Sequence, residues 1–315
     1  MNFNQFAQLS PTSLTDYSTT EKRLMTLAKA NEALEQQVKE RMMELQRANR
    51  QLENLLHKLQ DELENAQEVQ KAMLPQMSAI QSPNPYFHLA ASLKPARMLG
   101  GDLYDFFWLE DGKRLCFLIG DVSGKGTPAA LFMTHTAALI RSLAQADDTP
   151  SQILEKINSQ LCRNNEQFMS VTLLCLVLEV ETGELSFASA GHELPLLINE
   201  TVQFLEAETA PPLGLDEDID FPFGQYQLAA DDLLLLYTDG ITEARNLNKK
   251  EFSDRGLLNF LKQVPLSEPN QMIHAVTEEV KQFVGNQEQQ DDMTLLCFQY
   301  KPFGFCQATS RTSNQ

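Results

Sequence analysis

From Leu24 onward, apolar side chains recur at alternating three- and four-residue steps. Stepping by sevens, one line reads Leu24, Asn31, Val38, Leu45, Leu52, Leu59, Ala66, Met73 and a second Leu27, Leu34, Arg41, Ala48, Leu55, Glu62, Val69; 12 of these 15 positions are apolar. A period of 3.5 sustained this long leaves one greasy seam along a helix that only another helix can cover, so the pattern predicts a coiled coil. No proline falls between Pro11 and Pro75, and the first glycine is Gly100. At ~1.5 Å per residue the rod reaches ~75 Å, too long for an internal helix of one compact domain. Asn31 in the seam fits a two-stranded register. The expectation is a flexible N-terminus over 1–20, a coiled-coil helix over 21–74, and a parallel homodimer formed through residues 24–73.

Four prolines within residues 75–99 end the rod and introduce a period-two pattern, with the boundary near residue 80. Beyond it, apolar runs predict strands at Phe87–Leu93, Tyr104–Leu109, Leu115–Ile119, Val171–Glu179, Leu185–Ala190, Leu194–Ile198, Leu233–Tyr237 and Thr294–Phe298. Helical periodicity predicts Pro128–Ala144, with Thr127 as N-cap, then Ser151–Asn164, Asp254–Gln263 and Pro269–Val284. Runs of strands with segregated helices predict an α+β layered domain over 80–300. Residues 301–315 are polar and small and read as a flexible tail.

Charge narrows the partners. Residues 1–80 carry 9 basic and 11 acidic side chains, so nearly all of the net −18 belongs to the C-terminal part. That balance argues against nucleic acid or an anionic membrane surface, both of which need a basic face. No apolar run approaches the ~20 residues of a membrane span, and no signal-peptide pattern opens the chain. The 5 cysteines form no metal-binding spacing, which leaves a reducing cytoplasm as the expected location.

The candidate chemistry lies in aspartates set against those apolar runs: Asp121 in LCFLIGDVSGKGT, Asp239 in LLLLYTDG, and Asp291 and Asp292 in QQDDMTLL. Buried strands that deliver carboxylates to one sheet edge gather anions, and these are costly unless a cation neutralises them. All-oxygen ligands suit magnesium or manganese rather than zinc. Asp102 follows two glycines in GGDLYDFFW and adds a further acid. The stretch GDVSGKGT is not a phosphate-binding P-loop, because only three residues separate Gly120 from Gly124 and Gly126 follows Lys125.

In order and spacing, GGDLYDFFWLEDGKR, IGDVSGKGTPAALFM, SAGHELPLL, LLLYTDGITEARN and DDMTLL resemble the catalytic domain of SpoIIE/RsbU-type serine/threonine phosphatases, a branch of the metal-dependent type 2C protein phosphatases. The resemblance covers residues 80–300. It implies an αββα sandwich of two mainly antiparallel sheets, two divalent ions, Mn2+ or Mg2+, and a phosphoserine or phosphothreonine protein as substrate. By the same resemblance Asp121 bridges both ions with the Val122 carbonyl on the second, Asp239 and Asp291 hold the first, and Asp102 holds the second. Asp292 is the alternative to Asp291, and one of the pair is dispensable for metal binding. Such ions lower the pKa of a water and clamp the phosphate, so no protein nucleophile is needed. Two positions depart from the family. Ser123 stands where the broader family commonly has a histidine proposed as proton donor, and Glu193-Leu194 stand where family members often have proline. His192 and Lys125 are the candidate groups near the phosphate.

The stretch LEQQVKERMMELQRANRQLE resembles the signalling helices of bacterial receptors. It implies control of the phosphatase through the coiled coil, with residues 60–80 contacting the metal cleft and an upstream activator protein supplying the input. The implied substrate is a STAS-domain anti-sigma-factor antagonist. A catalytically silent coiled-coil scaffold is the rival reading, weakened by the intact aspartates. A histidine-kinase fragment using His57 is weaker still, since nothing after residue 80 resembles an ATP-binding lid.

Overall fold

The computed structural model describes residues 11–75, 86–109, 112–163, 165–265 and 267–302. The boundary expected near residue 80 and nearly all of the expected tail lie outside them. Helix α1 (Pro11–Met73) begins ten residues before the expected start of the rod. The chain divides into two units within this helix, one up to Glu62 and one from Leu63 on. In the first unit Leu24, Leu27, Leu34, Val38, Leu45, Leu52 and Leu55 are each more than half exposed. Asn31 donates to Glu35 Oε1 at 3.0 Å and Arg41 pairs with Glu44 at 2.8 Å, so these two polar seam residues are satisfied within their own helix. Among the described residues no helix is long and apolar enough to cross a membrane.

The second unit is a four-layer sandwich. Its strands are β1 (Phe87–Lys94), β2 (Leu103–Trp108), β3 (Arg114–Val122), β4 (Val171–Glu179), β5 (Glu184–Ala190), β6 (Leu196–Ile198), β7 (Val202–Phe204), β8 (Thr209–Ala210), β9 (Phe223–Gln227), β10 (Leu233–Tyr237) and β11 (Met293–Tyr300). Its further helices are α2 (Thr127–Leu143), α3 (Pro150–Cys162), α4 (Asp239–Thr242), α5 (Ser253–Leu261) and α6 (Pro269–Val284). One sheet has the order β1-β11-β10-β6-β7; the other has β2-β3-β4-β5-β8 with β9 also on β5. All neighbours pair antiparallel except β5 with β8.

Alternation along the strands explains the layering. On β3, Leu115, Phe117 and Ile119 point between the sheets with Leu234, Leu236 and Phe298, while Cys116 and Leu118 face the α2–α3 layer. On β10, Leu233, Leu235 and Tyr237 turn outward to α5 and α6. Both faces of the central strands are therefore apolar, which is why they read as continuous hydrophobic runs. Phe117 and Phe298 stack across the inter-sheet core at 5.1 Å.

Several boundaries move. Strand β3 runs on through Asp121, so that aspartate is paired in the sheet rather than lying past its end. Asp239 opens α4, a single turn too short for periodicity to reveal. Gly126, not Thr127, caps α2, and Thr127 is its first helical residue. Strands β7, β8 and β9 were not expected; each is short, and β9 is largely solvent-facing. The capping box at Thr149 and Gln152 starts α3 at Pro150; Asn164, the end expected for that helix, lies outside the described residues.

One charge is buried for structural reasons. Asp105 on β2 is 4% exposed and takes a bidentate Arg141 at 2.6 and 2.7 Å, with the guanidinium also over Phe107. Arg141→Met should cost about 3 kcal/mol by leaving Asp105 unpaired. Adding Asp105→Asn should recover much of it, measured by urea denaturation; equal stability of Arg141→Met and the parent chain would contradict this.

Candidate metal centre

The two sheets meet at one edge where four distant segments deliver carboxylates. Asp121 comes from β3, Asp102 from the turn before β2, Asp239 from the start of α4, and Asp291 and Asp292 from the loop before β11. The sequence expectation of convergence holds, although Asp121 and Asp239 reach the edge differently.

Asp102 is the most buried of the set, 2% exposed. Its Oδ2 accepts from Thr238 Oγ1 at 2.8 Å and Thr294 Oγ1 at 2.5 Å, both on the opposite sheet. Thr294 N–H also donates to Thr238 Oγ1 and Thr238 N–H to the Thr294 carbonyl, each at 3.1 Å, which ties the two threonines together. Burial and the neighbouring Asp121 nevertheless push the Asp102 carboxyl well above the usual range, against the pull of the two hydroxyls. Burial and Asp239 push Asp121 up to about 7. Asp239 is pushed up to about 6 by burial, Glu243 and Asp291, with Lys125 and the Gly240 N–H opposing.

The adjacent aspartates divide their roles. Asp292 accepts from Ala96 N at 2.8 Å through one oxygen and from Gly101 N at 2.7 Å through the other, so it is consumed in holding the loop before Asp102. A Cβ at Gly100 would come within 2.5 Å of its Oδ2, and a Cβ at Gly240 would run into its carbonyl; both positions require glycine for this close packing. Asp291 instead lies at the cleft, where Lys125 Nζ reaches its Oδ2 at 2.7 Å and the Gln290 carbonyl at 2.9 Å. This makes Asp291 the ligand candidate and Asp292 the loop anchor. The Val122 carbonyl lies 3.1 Å from where a Gly101 Cβ would stand, which places it beside Asp102.

His192 does not match the expectation of a group near the phosphate. Its side chain is fully buried, with Nδ1 2.8 Å from Thr172 Oγ1 and Nε2 3.1 Å from the Tyr237 carbonyl. A carbonyl only accepts, so Nε2 carries the proton and Nδ1 accepts from the threonine. Burial lowers the ring to about 4, partly offset by the Tyr237 bond, so it is neutral near pH 7. The approach of Glu193 Oε2 at 3.7 Å is therefore not an ion pair. Glu193 itself is pushed up to about 7 by burial, then by Asp239, Asp254 and Glu243. Ser123 Oγ accepts from Ser170 N at 2.9 Å, tying the two chain segments at the cleft edge.

Four residues went unnoticed in the sequence. Exposed Arg97 lines the cleft with Asp121, Lys125, Asp291 and Asp292. Gln70, near the end of α1, is buried and brackets Gly100, donating to its carbonyl at 2.7 Å and accepting from its N–H at 3.3 Å. Thr238 and Thr294 could have been suspected from their places in YTDG and DDMT; Gln70 carries no comparable signal. A groove of about 460 Å³ shares Lys125 and Asp291 with the cleft and runs along Arg245 and Lys281.

Among the described residues, no three carboxylate, histidine or cysteine side chains already stand at coordinating distance around one point. The donor set still fits a hard divalent ion, being all oxygen and partly buried, with Asp102, Asp121 and Asp239 raised in pKa by burial and then by neighbouring carboxylates.

A family model for Stage II sporulation protein E (SpoIIE) matches residues 111–301. Phosphoserine phosphatase RsbU of Bacillus subtilis (strain 168) is 31% identical over 190 residues, 58% of this chain and 54% of RsbU. The chain thus spans about half the length of that relative. Among solved structures, the SiaA-PP2C domain of Pseudomonas aeruginosa matches with a TM-score of 0.69 at 21% identity, covering 77% of this chain and 97% of that one. The RsbU and RsbW domains of Rv1364c from Mycobacterium tuberculosis match at 0.59 and 27% identity, covering 69% and 61%.

Raised carboxylate pKa values make the fold bind protons. The stability contributed by protonated Asp121 and Asp239 is complete below about pH 4 and lost as pH rises through about 6 to 7. In EDTA, Asp121→Asn should unfold at a higher temperature than the parent chain at about pH 7.5, and the difference should vanish at about pH 4. A less stable Asp121→Asn chain at the higher pH would contradict the repulsion. Calorimetry should separate the adjacent acids. Asp291→Asn should weaken Mn2+ binding with little change in metal-free stability, while Asp292→Asn should cost about 1–3 kcal/mol of stability; the reverse pattern would exchange their roles.

Proposed function

The chain belongs to the SpoIIE family, and from that premise we propose that it is a metal-dependent phosphatase acting on phosphoserine or phosphothreonine of a regulatory protein. The observation that carries this is the convergence of Asp102, Asp121, Asp239 and Asp291 on one edge of the sandwich, where burial and crowding raise the carboxyl pKa values of Asp102, Asp121 and Asp239. Perturbed carboxylates gathered in a cleft are the mark of a functional site, and an all-oxygen set suits hard cations. RsbU is named a phosphoserine phosphatase, and the motif resemblance extends the substrate to a STAS-domain antagonist.

Two divalent ions, Mn2+ or Mg2+, would supply Lewis acidity and a water of lowered pKa. Asp121 and the Val122 carbonyl, with Asp102, Asp239 and Asp291, would hold them. The threonine bonds to Oδ2 orient Asp102, and Asp292 fixes the loop that carries it. Arg97 and Lys125 place positive charge at the mouth of an otherwise acidic cleft, where a phosphate must enter. His192 is sequestered and Ser123 accepts from Ser170, so neither stands free to protonate the leaving group.

Regulation enters through α1. Its last turns, in the same unit as the sandwich, place Gln70 on Gly100, two residues from Asp102. Turning or withdrawing that helix would shift the loop that presents Asp102. The exposed seam on the preceding turns is apolar at most of its positions, and a second copy of the chain is the partner that matches it in register, giving a homodimer. An activator protein acting on that coil would supply the signal.

Phosphate release from a phosphoserine protein should require Mn2+ or Mg2+ and be abolished by Asp121→Ala and by Asp239→Ala. Removal of residues 1–79 should change the turnover. No release by the metal-loaded chain would favour the scaffold reading, and turnover indifferent to the truncation would remove the regulatory part alone. Gln70→Ala should raise the Mn2+ concentration for half-maximal turnover about tenfold; an unchanged midpoint would exclude this contact from control of the site.

A further inference from the structure

The buried imidazole of His192 lies between the two sheets at the edge where the carboxylates meet. On one side is Thr172 of β4, the direct cross-strand partner of Asp121 on β3. On the other is Tyr237, the last residue of β10, two positions before Asp239. Thr172 Oγ1 donates to Nδ1 at 2.8 Å and Nε2–H donates to the Tyr237 carbonyl at 3.1 Å. The threonine hydroxyl has one proton, and its distance of 3.4 Å to the Asp121 carbonyl is the weaker contact. The histidine backbone is itself fixed, because Ser189 Oγ donates to its carbonyl at 2.7 Å and accepts from its N–H at 3.0 Å. Gly191 before it has φ 70, and a Cβ there would press on Pro212 at 2.8 Å. The ring is thus held by the loop after β5 and bonded at one nitrogen to the strand paired with Asp121 and at the other to the segment that leads into Asp239.

We propose that His192 is a positioning residue that fixes the separation of the two sheets at this edge, and through it the separation of Asp121 and Asp239, thereby setting the affinity for divalent ions. The inference rests on the metal-dependent reading above. Asp121 and Asp239 repel each other, and the imidazole is a short, rigid tie that opposes their separation. Asp102 with Thr238 and Thr294 makes a second inter-sheet contact, but it uses a ligand carboxylate. The histidine tie holds the spacing without using one. A group bonded at both nitrogens and closed off from solvent exchanges no proton with substrate, which separates this role from that of a general acid.

The test uses the full chain with Thr172→Val, which keeps the branched strand residue and deletes the donor, Thr172→Ser, which restores it, and His192→Asn as an independent variant. Mn2+ dissociation constants are measured by calorimetry, and kcat at saturating Mn2+ with p-nitrophenyl phosphate. Thr172→Val and His192→Asn should each weaken Mn2+ binding about tenfold with kcat at saturation within about twofold, and Thr172→Ser should bind nearly as the parent does. Unchanged Mn2+ affinity in a folded Thr172→Val or His192→Asn chain would overturn the proposal. So would loss of kcat at saturating metal together with the acidic limb of its pH profile, the mark of a proton donor. A parent chain that binds Mn2+ but releases no phosphate would defeat the phosphatase reading while the affinity comparison still decides the role of His192; a parent that binds no Mn2+ would overturn both.

Discussion

Like charge brought together at a buried edge is the constraint that organises this domain. Asp102, Asp121, Asp239 and Asp291 come from four places in the chain, and each is delivered by an element whose own stability is apolar: β2, β3 and β10 in the inter-sheet core, α4 against α5, and β11 between β1 and β10. Burial of side chains such as Phe117, Leu236 and Phe298, each worth about 1.5–3 kcal/mol, holds the carboxylates where electrostatics alone would scatter them. The polar groups around them follow from that conflict. Two threonines face Asp102, two backbone N–H groups hold Asp292, and Lys125 closes on Asp291.

Much of this was written in the sequence because the same apolar runs that make the strands also locate the acids. The runs at 171–179, 233–237 and 269–284 coincide with β4, β10 and α6, since fully buried strands and an amphipathic helix with a proline start leave strong local signals. The missing pieces are those whose cause is tertiary. Strands β7 to β9 exist because neighbouring edges offer hydrogen bonds, not because their residues alternate strongly. His192 read equally well as a substrate group or a loop residue, and only the packing of the two sheets shows that both ring nitrogens are spoken for. The choice between Asp291 and Asp292 turned on which one the Ala96 and Gly101 N–H groups claim, a contact nearly two hundred residues away in the chain.

The same logic connects the helix to the chemistry. A heptad seam specifies association but carries no information on what its end touches. Gln70 on the last turns meets the backbone of Gly100, in the loop that Asp292 anchors. Glycines at 100, 101 and 240 let this loop, β3 and α4 pack closely enough for one small movement to be felt at several ligands. Coupling of this kind needs no long pathway, because Gly100, which Gln70 holds, is only two residues from Asp102 along the loop.

The central claim is that the raised, crowded carboxylates exist to hold divalent ions. Anomalous diffraction at the manganese edge, from crystals of the full chain grown with Mn2+, tests it most directly. The account predicts two strong peaks sharing Asp121, one also contacting Asp239 and Asp291 and the other near Asp102 and the Val122 carbonyl. Crystals in which Asp121 touches no manganese, with ions only on exposed surface acids, would contradict it.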